Sequence, residues 1–178
     1  MIKVEHTNKT FSGKYGEVHA LQDVSIHVEK GDIYGIIGFS GAGKSTLLHL
    51  IRNLAEETGN RMQDHREIET RSGLLTVGAG LTISYISQDT GFLSGTLSEY
   101  CRTEKLDYSL LLTLLRKLDF ERTQFEKPME SFSEGQKKKV LIAASFITPA
   151  HLYIWDEPLN YIDLFSRMQI EQLILDRK

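Results

Sequence analysis

One segment rich in glycine constrains the fold of this chain more than any other feature. Residues 38–45 read GFSGAGKS and fit the pattern G-x-x-x-x-G-K-[ST] at every position. The apolar run IYGII at 33–37 precedes the segment and predicts a short buried strand, while residues 44–55 carry leucine and isoleucine at helical spacing. Strand, glycine loop and helix in this order predict the opening of a βαβ unit.

This loop predicts a phosphate-binding site. Its backbone N–H groups would point inward at the positive end of a helix and form a nest for anions. In this pattern the lysine, Lys44, contacts the β- and γ-phosphates and the Ser45 hydroxyl coordinates Mg²⁺. A glycine-rich turn that binds nothing is the alternative. The predicted nucleoside triphosphate ligands are Gly38, Ser40, Gly41, Ala42, Gly43, Lys44, Ser45 and Thr46.

The rest of the chain alternates short apolar segments with helical patterns. Strands are predicted at 18–28, 82–87 and 152–155. Helices are predicted along a leucine stripe at 106–118, from Ser133-Glu134 to about Phe146, and from Asp163 to Leu175. Residues 56–73 are polar and predict a solvated loop or small edge strands. The alternation predicts an α/β layered fold with a mainly parallel sheet.

Composition narrows the function classes. The chain has 178 residues, the size of roughly one domain. Its net charge of −3 gives no general reason to expect nucleic-acid binding, and we expect no direct DNA binding. Its apolar runs are shorter than the about 18 residues of a membrane span, and the start lacks a secretory signal. A single cysteine, Cys101, fits a reducing compartment. We expect a cytoplasmic protein that reaches the inner face of a membrane only through another subunit.

Two adjacent carboxylates follow the last predicted strand. Asp156, at the carboxyl end of that strand, would hold the water shell of Mg²⁺, and Glu157 would polarise an attacking water. Without the phosphate loop this pair would equally fit a turn at the end of a strand. A GTP-binding protein needs the motif N-K-x-D after the phosphate loop to recognise guanine. The only Asn-Lys pair of this chain, Asn8-Lys9, precedes the loop and lacks the Asp, so we do not expect guanine specificity.

The segment SFSEGQ at 131–136 resembles the signature sequence L-S-G-G-Q of ATP-binding cassette (ABC) proteins, with glutamate in place of the first glycine. It stands 21 residues before Glu157. Gln88, in SYISQD, matches the Q-loop of that family, and EPLNYID at 157–163 matches its D-loop. These motifs, in this order, identify the chain as a member of the ABC family of P-loop NTPases over nearly its whole length.

The resemblance implies a set of further site residues and a partner. A head-to-tail pair of cassettes would hold each ATP between the phosphate loop of one and Ser133, Gly135 and Gln136 of the other. Gln88 would contribute to catalysis and to Mg²⁺ coordination, together with Ser45 and Asp156. Ser133 would also cap the following helix, a role compatible with phosphate binding. Lys137-Lys138-Lys139, just after the signature, is interpreted as a solvated helix face.

The resemblance also places an aromatic residue against adenine. Phe11 falls at the family's position, and Tyr15 is the competing choice. An aromatic residue of the core or surface is an equal alternative for either. The family architecture implies an N-terminal antiparallel β part and a helical subdomain at about 89–147.

The two halves of the chain resemble different branches of the family. Residues 1–58 resemble the ATPase subunit of a bacterial methionine importer, and residues 74–178 resemble the ABC-F class, especially its ribosome-protecting antibiotic-resistance proteins. The seam is placed at 59–73. We favour an ABC-F-like ATP-binding domain, with the ribosome as partner, over an importer ATPase that binds a membrane permease. A non-catalytic dimerisation module for a complete cassette is the third alternative, and a small-molecule kinase would leave residues 131–136 unexplained.

The family's switch histidine is expected on a further strand after the catalytic glutamate. All six histidines of this chain precede Glu157, and 21 residues follow it. We therefore expect residues 1–178 to form a single, incomplete nucleotide-binding domain without its C-terminal strands. Such a domain would bind ATP weakly and hydrolyse it slowly or not at all.

Overall fold

The computed structural model describes residues 1–14, 16–59, 71–78 and 80–176. The chain divides into two compact units, Met1–Ile83 and Ser84–Lys178, and each is described by itself. Tyr15, most of the polar segment predicted at 56–73 and most of the proposed seam at 59–73 lie outside the described residues.

An antiparallel sheet forms the first unit. Its strands are β1 (Ile2–Gly13), β2 (Gly16–Val28) and β3 (Arg71–Val77), in the order β2-β1-β3. The strand predicted at 18–28 is therefore confirmed. Ile2 lies opposite Val28 on one side and opposite Val77 on the other, so β1 is the central strand.

An irregularity in β1 changes which residues face inward. Burial falls on Ile2 and Val4 and then on Thr7 and Lys9, so the two-residue alternation shifts by one position. Both pairings of β1 show a register shift there, and His6 takes a positive φ of 46°. A bulge absorbs one extra residue in this way and keeps one face of the strand turned to the core.

Helix α1 (Lys44–Gly59) follows the glycine loop, as the sequence predicts. Its buried residues recur at helical spacing and form a single apolar stripe. They are Leu47, Leu50, Ile51 and Ala55.

The prediction of a short strand at 33–37 is wrong. These residues have no regular secondary structure, and Ile37 is 99% exposed. The described strands form two sheets, β2-β1-β3 and a separate pair, and neither includes 33–37. An apolar run becomes a buried strand only when neighbouring strands pair with it on its edges.

Two strands and a set of helices form the second unit. Strands β4 (Ile83–Ile86) and β5 (Leu152–Trp155) pair, and their connection carries α2 (Leu97–Glu104), α3 (Tyr108–Lys117) and α4 (Glu134–Ile147). Short 3₁₀ turns at Arg122–Gln124 and Met129–Ser131 lie between α3 and α4, and α5 (Leu164–Leu175) follows β5. The strands predicted at 82–87 and 152–155 and the helices predicted near 106–118, 134–146 and 163–175 are confirmed to within a few residues.

The core of the second unit surrounds α4. Residues 138–146 of this helix are all buried, and the apolar ones belong to one cluster with Leu111 and Leu115 of α3 and with Leu118, which caps the end of α3. Three phenylalanines close the core beside the 3₁₀ turns, with the ring of Phe120 stacked on Phe125 and edge-on to Phe132. Among the described residues, no helix is both long and apolar enough to cross a membrane.

The expectation that Lys137-Lys138-Lys139 form a solvated helix face is wrong. Lys138 is 1% and Lys139 is 8% exposed. Because α4 is enclosed, these ammonium groups are satisfied inside the protein: Lys138 Nζ donates to the Ser87 carbonyl at 2.7 Å, and Lys139 Nζ lies 2.8 Å from the Asp163 carboxylate. A lysine can be buried in this way when its charged head reaches an oxygen partner.

The ion pair between Lys139 and Asp163 can be tested through the pH dependence of the free energy of unfolding. The Lys139 hydrogen bond first, and then the Ser166 backbone N–H, hold the pKa of the Asp163 carboxyl far below its usual range. A carboxyl with a lowered pKa in the folded state stabilises above its unfolded pKa of about 3.9, and that stabilisation is lost as the pH falls through the folded pKa. We expect Asp163→Asn to unfold at a lower temperature than the native chain at about pH 7, with a difference that shrinks below about pH 4.

Thermal unfolding followed by circular dichroism across this pH range measures the difference. Glu171→Gln, at an exposed position on α5, is the matched control and should follow the native curve. A difference between Asp163→Asn and the native chain that stays constant through acid pH would contradict the ion pair.

Candidate functional site

The phosphate loop of the first unit is closed by its own lysine. Lys44 Nζ donates to the carbonyls of Gly38 and Phe39, at 2.9 Å each. The Ala42 N–H donates to the Phe39 carbonyl at 3.1 Å, which tightens the turn. Residues 38–42 are largely exposed, and Lys44, Ser45 and Thr46 form the first turn of α1. The loop thus presents a cation and a helix N-terminus together, an arrangement suited to an anion.

Two glycines permit this loop for different reasons. Gly41 and Gly43 have φ values of 80° and 81°, a conformation that residues with a Cβ rarely adopt. A Cβ on Gly41 would meet nothing within 4 Å, whereas one on Gly43 would lie 2.1 Å from the Ala20 carbonyl oxygen. A glycine is therefore required at position 43 for two reasons, the left-handed backbone conformation and the close packing against β2.

The carboxylates of the second unit follow β5 directly. Asp156 is 2% exposed, and its N–H donates to the Ile86 carbonyl at 2.9 Å. Glu157 takes a left-handed conformation, with φ at 48°. Its Oε2 accepts hydrogen bonds from Gln88 Nε2 at 2.9 Å and from Asn160 Nδ2 at 2.8 Å. The structure thus brings together two predicted site residues that are 69 positions apart in the chain.

Asn160 was not among the predicted site residues. It lies in the segment EPLNYID that matches the D-loop, three positions after Glu157. An asparagine so placed in a turn can reach back to the carboxylate, so the spacing was a usable signal.

The signature segment forms the start of α4. Ser133 Oγ accepts from the Gln136 N–H at 3.2 Å, and Gln136 Oε1 accepts from the Ser133 N–H at 2.9 Å. This reciprocal capping box confirms the helix-capping role of Ser133. A Cβ on Gly135 would lie 2.4 Å from the Tyr161 carbonyl oxygen, so a glycine is needed where the signature segment meets the turn after β5.

The side chains at the start of α4 are strongly hydrogen bonded. A hydrogen bond from Thr90 first, and then one from Lys137, lower the pKa of Glu134. Burial lowers the pKa of Lys138, while the carboxylates of Asp156 and Glu157 act in the opposite direction. An open cleft of about 350 Å³ borders this region and is lined by Gln88, Asp89, Thr90, Glu134, Lys138, Asn160 and Tyr161.

Phe11 lies near the end of β1 and is 42% exposed. The ammonium of Lys9 lies 4.6 Å from the centre of its ring. A cation over the face of an aromatic ring makes a favourable cation–π interaction. Partial exposure leaves Phe11 available as a stacking surface, and its role against adenine stays a prediction.

The donor chemistry fits Mg²⁺. The Ser45 hydroxyl in the first unit and the Asp156 carboxylate in the second are each hard oxygen donors, the kind of ligand that Mg²⁺ binds together with phosphates and waters. Within the described ranges there is no group of three or more His, Cys, Asp or Glu side chains that could hold a metal ion.

Residues 21–160 match the family model described as ABC transporter. The chain belongs to the ABC transporter family. The matched range includes the phosphate loop, Gln88, the signature segment and both carboxylates, so the family predicted from these motifs is confirmed.

Curated relatives extend the match over almost the whole chain. The methionine import ATP-binding protein MetN 2 of Lactiplantibacillus plantarum is 32% identical over 98% of this chain and 54% of its own length. MetN 1 of Bacillus cereus is 31% identical over 98% of this chain and 53% of its own length. This ABC chain therefore spans about half the length of the curated relatives it matches.

Solved structures show the same fold. The dimeric structure of MJ0796, a bacterial ABC transporter cassette, superimposes with a TM-score of 0.75 at 21% identity and covers 98% of this chain and 81% of that one. A post-hydrolysis MJ0796 structure bound to ADP and Pi gives a TM-score of 0.76 at 20% identity, with the same coverage. The P-loop α/β fold class predicted from the sequence is confirmed.

The ABC-F assignment of residues 74–178 is not supported by these comparisons. The methionine-importer relatives match over 98% of the chain, and so through both of its halves. The importer alternative is therefore the better supported of the two.

The two loop glycines allow a paired test. Gly41→Ala should lower the free energy of unfolding by about 1–2 kcal/mol, the cost of a left-handed residue with a Cβ. Gly43→Ala should cost clearly more, because its Cβ must also displace the Ala20 carbonyl. Urea unfolding of both variants beside the native chain measures the difference. Equal losses would show that close packing against β2 does not constrain the loop.

Proposed function

We propose that this chain is the ATP-binding cassette of an importer of the methionine type, and that it binds ATP with Mg²⁺ and retains a slow, residual hydrolysis of the γ-phosphate bond. One observation carries the hydrolytic part: the Glu157 carboxylate accepts hydrogen bonds from Gln88 and Asn160 at the end of β5. A carboxylate held in one orientation beside an amide is the arrangement needed to orient and deprotonate a water molecule.

The phosphate loop would bind the triphosphate. The loop N–H groups and the first turn of α1 would contact phosphate oxygens, and Lys44 would exchange its contacts with the Gly38 and Phe39 carbonyls for the β- and γ-phosphates. Such an exchange replaces two neutral acceptors with charged ones, so it favours binding. Phe11 would stack against the adenine ring.

The residues that we propose as Mg²⁺ ligands, as the family resemblance implies, are Ser45 of the first unit and Asp156 and Gln88 of the second. When bound, Mg²⁺ neutralises charge on the phosphates during transfer. Asp156 suits this role because it is buried and follows β5 directly. Gln88 would orient the attacking water, and Glu157 would accept its proton.

We further propose a second cassette and a membrane permease as partners. The MJ0796 neighbour is a dimer, and the curated relatives are import ATP-binding proteins. In a head-to-tail pair, Ser133, Gly135 and Gln136 would contact the nucleotide of the partner cassette. The complex would lie at the cytoplasmic face of the membrane.

Thermal unfolding with and without Mg-ATP tests nucleotide binding. ATP at about 100 times its dissociation constant should stabilise the native chain by about 2.7 kcal/mol and raise its unfolding midpoint. Lys44→Ala should remove that rise, because the ammonium that neutralises the phosphates is lost. Lys117→Ala, outside the loop, should keep it. A midpoint of the native chain that ATP does not change would contradict the proposal.

Phosphate release tests hydrolysis. Glu157→Gln keeps the size of the side chain and removes the base, so kcat should fall by about 10²–10⁴-fold. The ATP-induced rise in unfolding midpoint should remain, since the phosphate loop is unchanged. Hydrolysis by Glu157→Gln at the native rate would show that another group acts as base.

Partner choice separates the importer from the ABC-F alternative. The tagged chain should co-purify from detergent-solubilised membranes with a permease subunit, and it should not sediment with purified ribosomes. Lys44→Ala serves as the nucleotide-free control in both assays. ATP-dependent sedimentation with ribosomes, without recovery of a permease, would favour the ABC-F function.

A further inference from the structure

Helix α4 holds the segment after β4 at two points. Lys138 Nζ donates to the Ser87 carbonyl at 2.7 Å, and the Thr90 hydroxyl donates to the Glu134 carboxylate. Residues 134 and 138 are one helical turn apart and so lie on the same face of α4. The two contacts anchor Ser87 and Thr90, and Gln88 and Asp89 lie between these two positions along the chain.

Each contact has one buried partner, Thr90 or Lys138, while the Glu134 side chain is itself 51% exposed. Thr90 is 2% exposed and Lys138 is 1% exposed. A hydrogen bond between a buried group and a charged one is stronger than a neutral bond at the surface, and its loss leaves a polar atom without a partner. Lys137 Nζ, 3.2 Å from the other oxygen of Glu134, further fixes the orientation of that carboxylate.

Gln88 depends on these contacts for its position. Its side chain is exposed, so packing does not hold it, yet its Nε2 lies 2.9 Å from Glu157 Oε2. The backbone on either side of Gln88 is fixed at Ser87 and at Thr90. The ties to α4 thus determine where the Gln88 amide can reach.

We propose that Glu134 and Lys138 are positioning residues, which hold segment 87–90 against α4 so that the Gln88 amide stays on the Glu157 carboxylate. The inference rests on the proposed function, in which Gln88 and Glu157 carry out hydrolysis. Glu134 stands where the usual signature L-S-G-G-Q has its first glycine, and glycine has no side chain to accept the Thr90 hydrogen bond. The tie through Thr90 is thus specific to chains with an acceptor at this position.

Nuclear magnetic resonance of the ¹⁵N-labelled chain without nucleotide tests the positioning directly. The Gln88 side-chain amide signals are assigned by their loss in Gln88→Ala. In Glu134→Ala and in Lys138→Met, these signals should move toward those of a free glutamine, and backbone amide exchange at 88–90 should rise about tenfold. Glu134→Gln retains an oxygen acceptor and should restore part of the native signal.

Two further variants control for indirect effects. Thr90→Val has nearly the shape of threonine and breaks the same contact from the other side, so it should reproduce Glu134→Ala, and the double variant should add nothing. Glu171→Ala, exposed on α5, should leave the Gln88 signals unchanged. If Glu134→Ala does not fold, Thr90→Val still reports on the contact.

Kinetics then separate this inference from the proposed function. A shifted Gln88 signal with a lower kcat and an unchanged dissociation constant for ATP supports both. A shifted signal in a chain whose native form hydrolyses no ATP supports the positioning and overturns the proposed hydrolysis. Unchanged Gln88 signals and unchanged exchange at 88–90 in all three variants, Glu134→Ala, Lys138→Met and Thr90→Val, would overturn the positioning.

Discussion

The burial of α4 is the constraint on which the second unit depends. Every residue from 138 to 146 is enclosed, so no polar group in this stretch can be left to water, and each must find a partner inside the protein. Lys138 finds the Ser87 carbonyl, Lys139 finds Asp163, and Ser145 hydrogen bonds with Ser84 and with the Trp155 indole. These partners lie in β4, just after it, in β5 and at the start of α5. The position of one buried helix thus fixes the segments that carry Gln88 and the carboxylates.

Backbone conformation adds a second constraint at the same place. Glu157 and Tyr161 both have positive φ, an arrangement that costs free energy for residues with a Cβ and persists only where the surroundings hold it. Asn160 and Gln88 hold Glu157 through its carboxylate, and Gly135 packs against the Tyr161 carbonyl. The turn after β5 is therefore supported from the signature segment and from the end of β4. A bulkier residue at 135 would disturb the turn that presents the proposed base.

The sequence predicted the elements well where local chemistry determines them. Ser133 and Asp163 are capping residues followed by helical patterns, and both helices begin one residue later. The apolar run at 33–37 failed as a strand because a strand also needs partners, which a local pattern does not reveal. The three lysines failed for a related reason: a run of charge indicates a solvated face only when the helix has one, and α4 has almost none. The hydrogen bonds of Glu157 join residues far apart in the chain, so motif spacing grouped the residues without giving the contacts.

In the motif residues, the atoms that we propose to contact the nucleotide also make contacts that stabilise the fold. The Ser133 hydroxyl caps α4, Gly43 leaves room for the Ala20 carbonyl, and Lys44 closes its own loop. Each group is already engaged before any nucleotide binds, so binding must exchange one set of partners for another. The free energy of such an exchange is the difference between the two sets, and it is smaller than either alone. A substitution at these positions therefore changes the free energy of unfolding and the affinity for a nucleotide together, and only their separate measurement assigns a residue to chemistry.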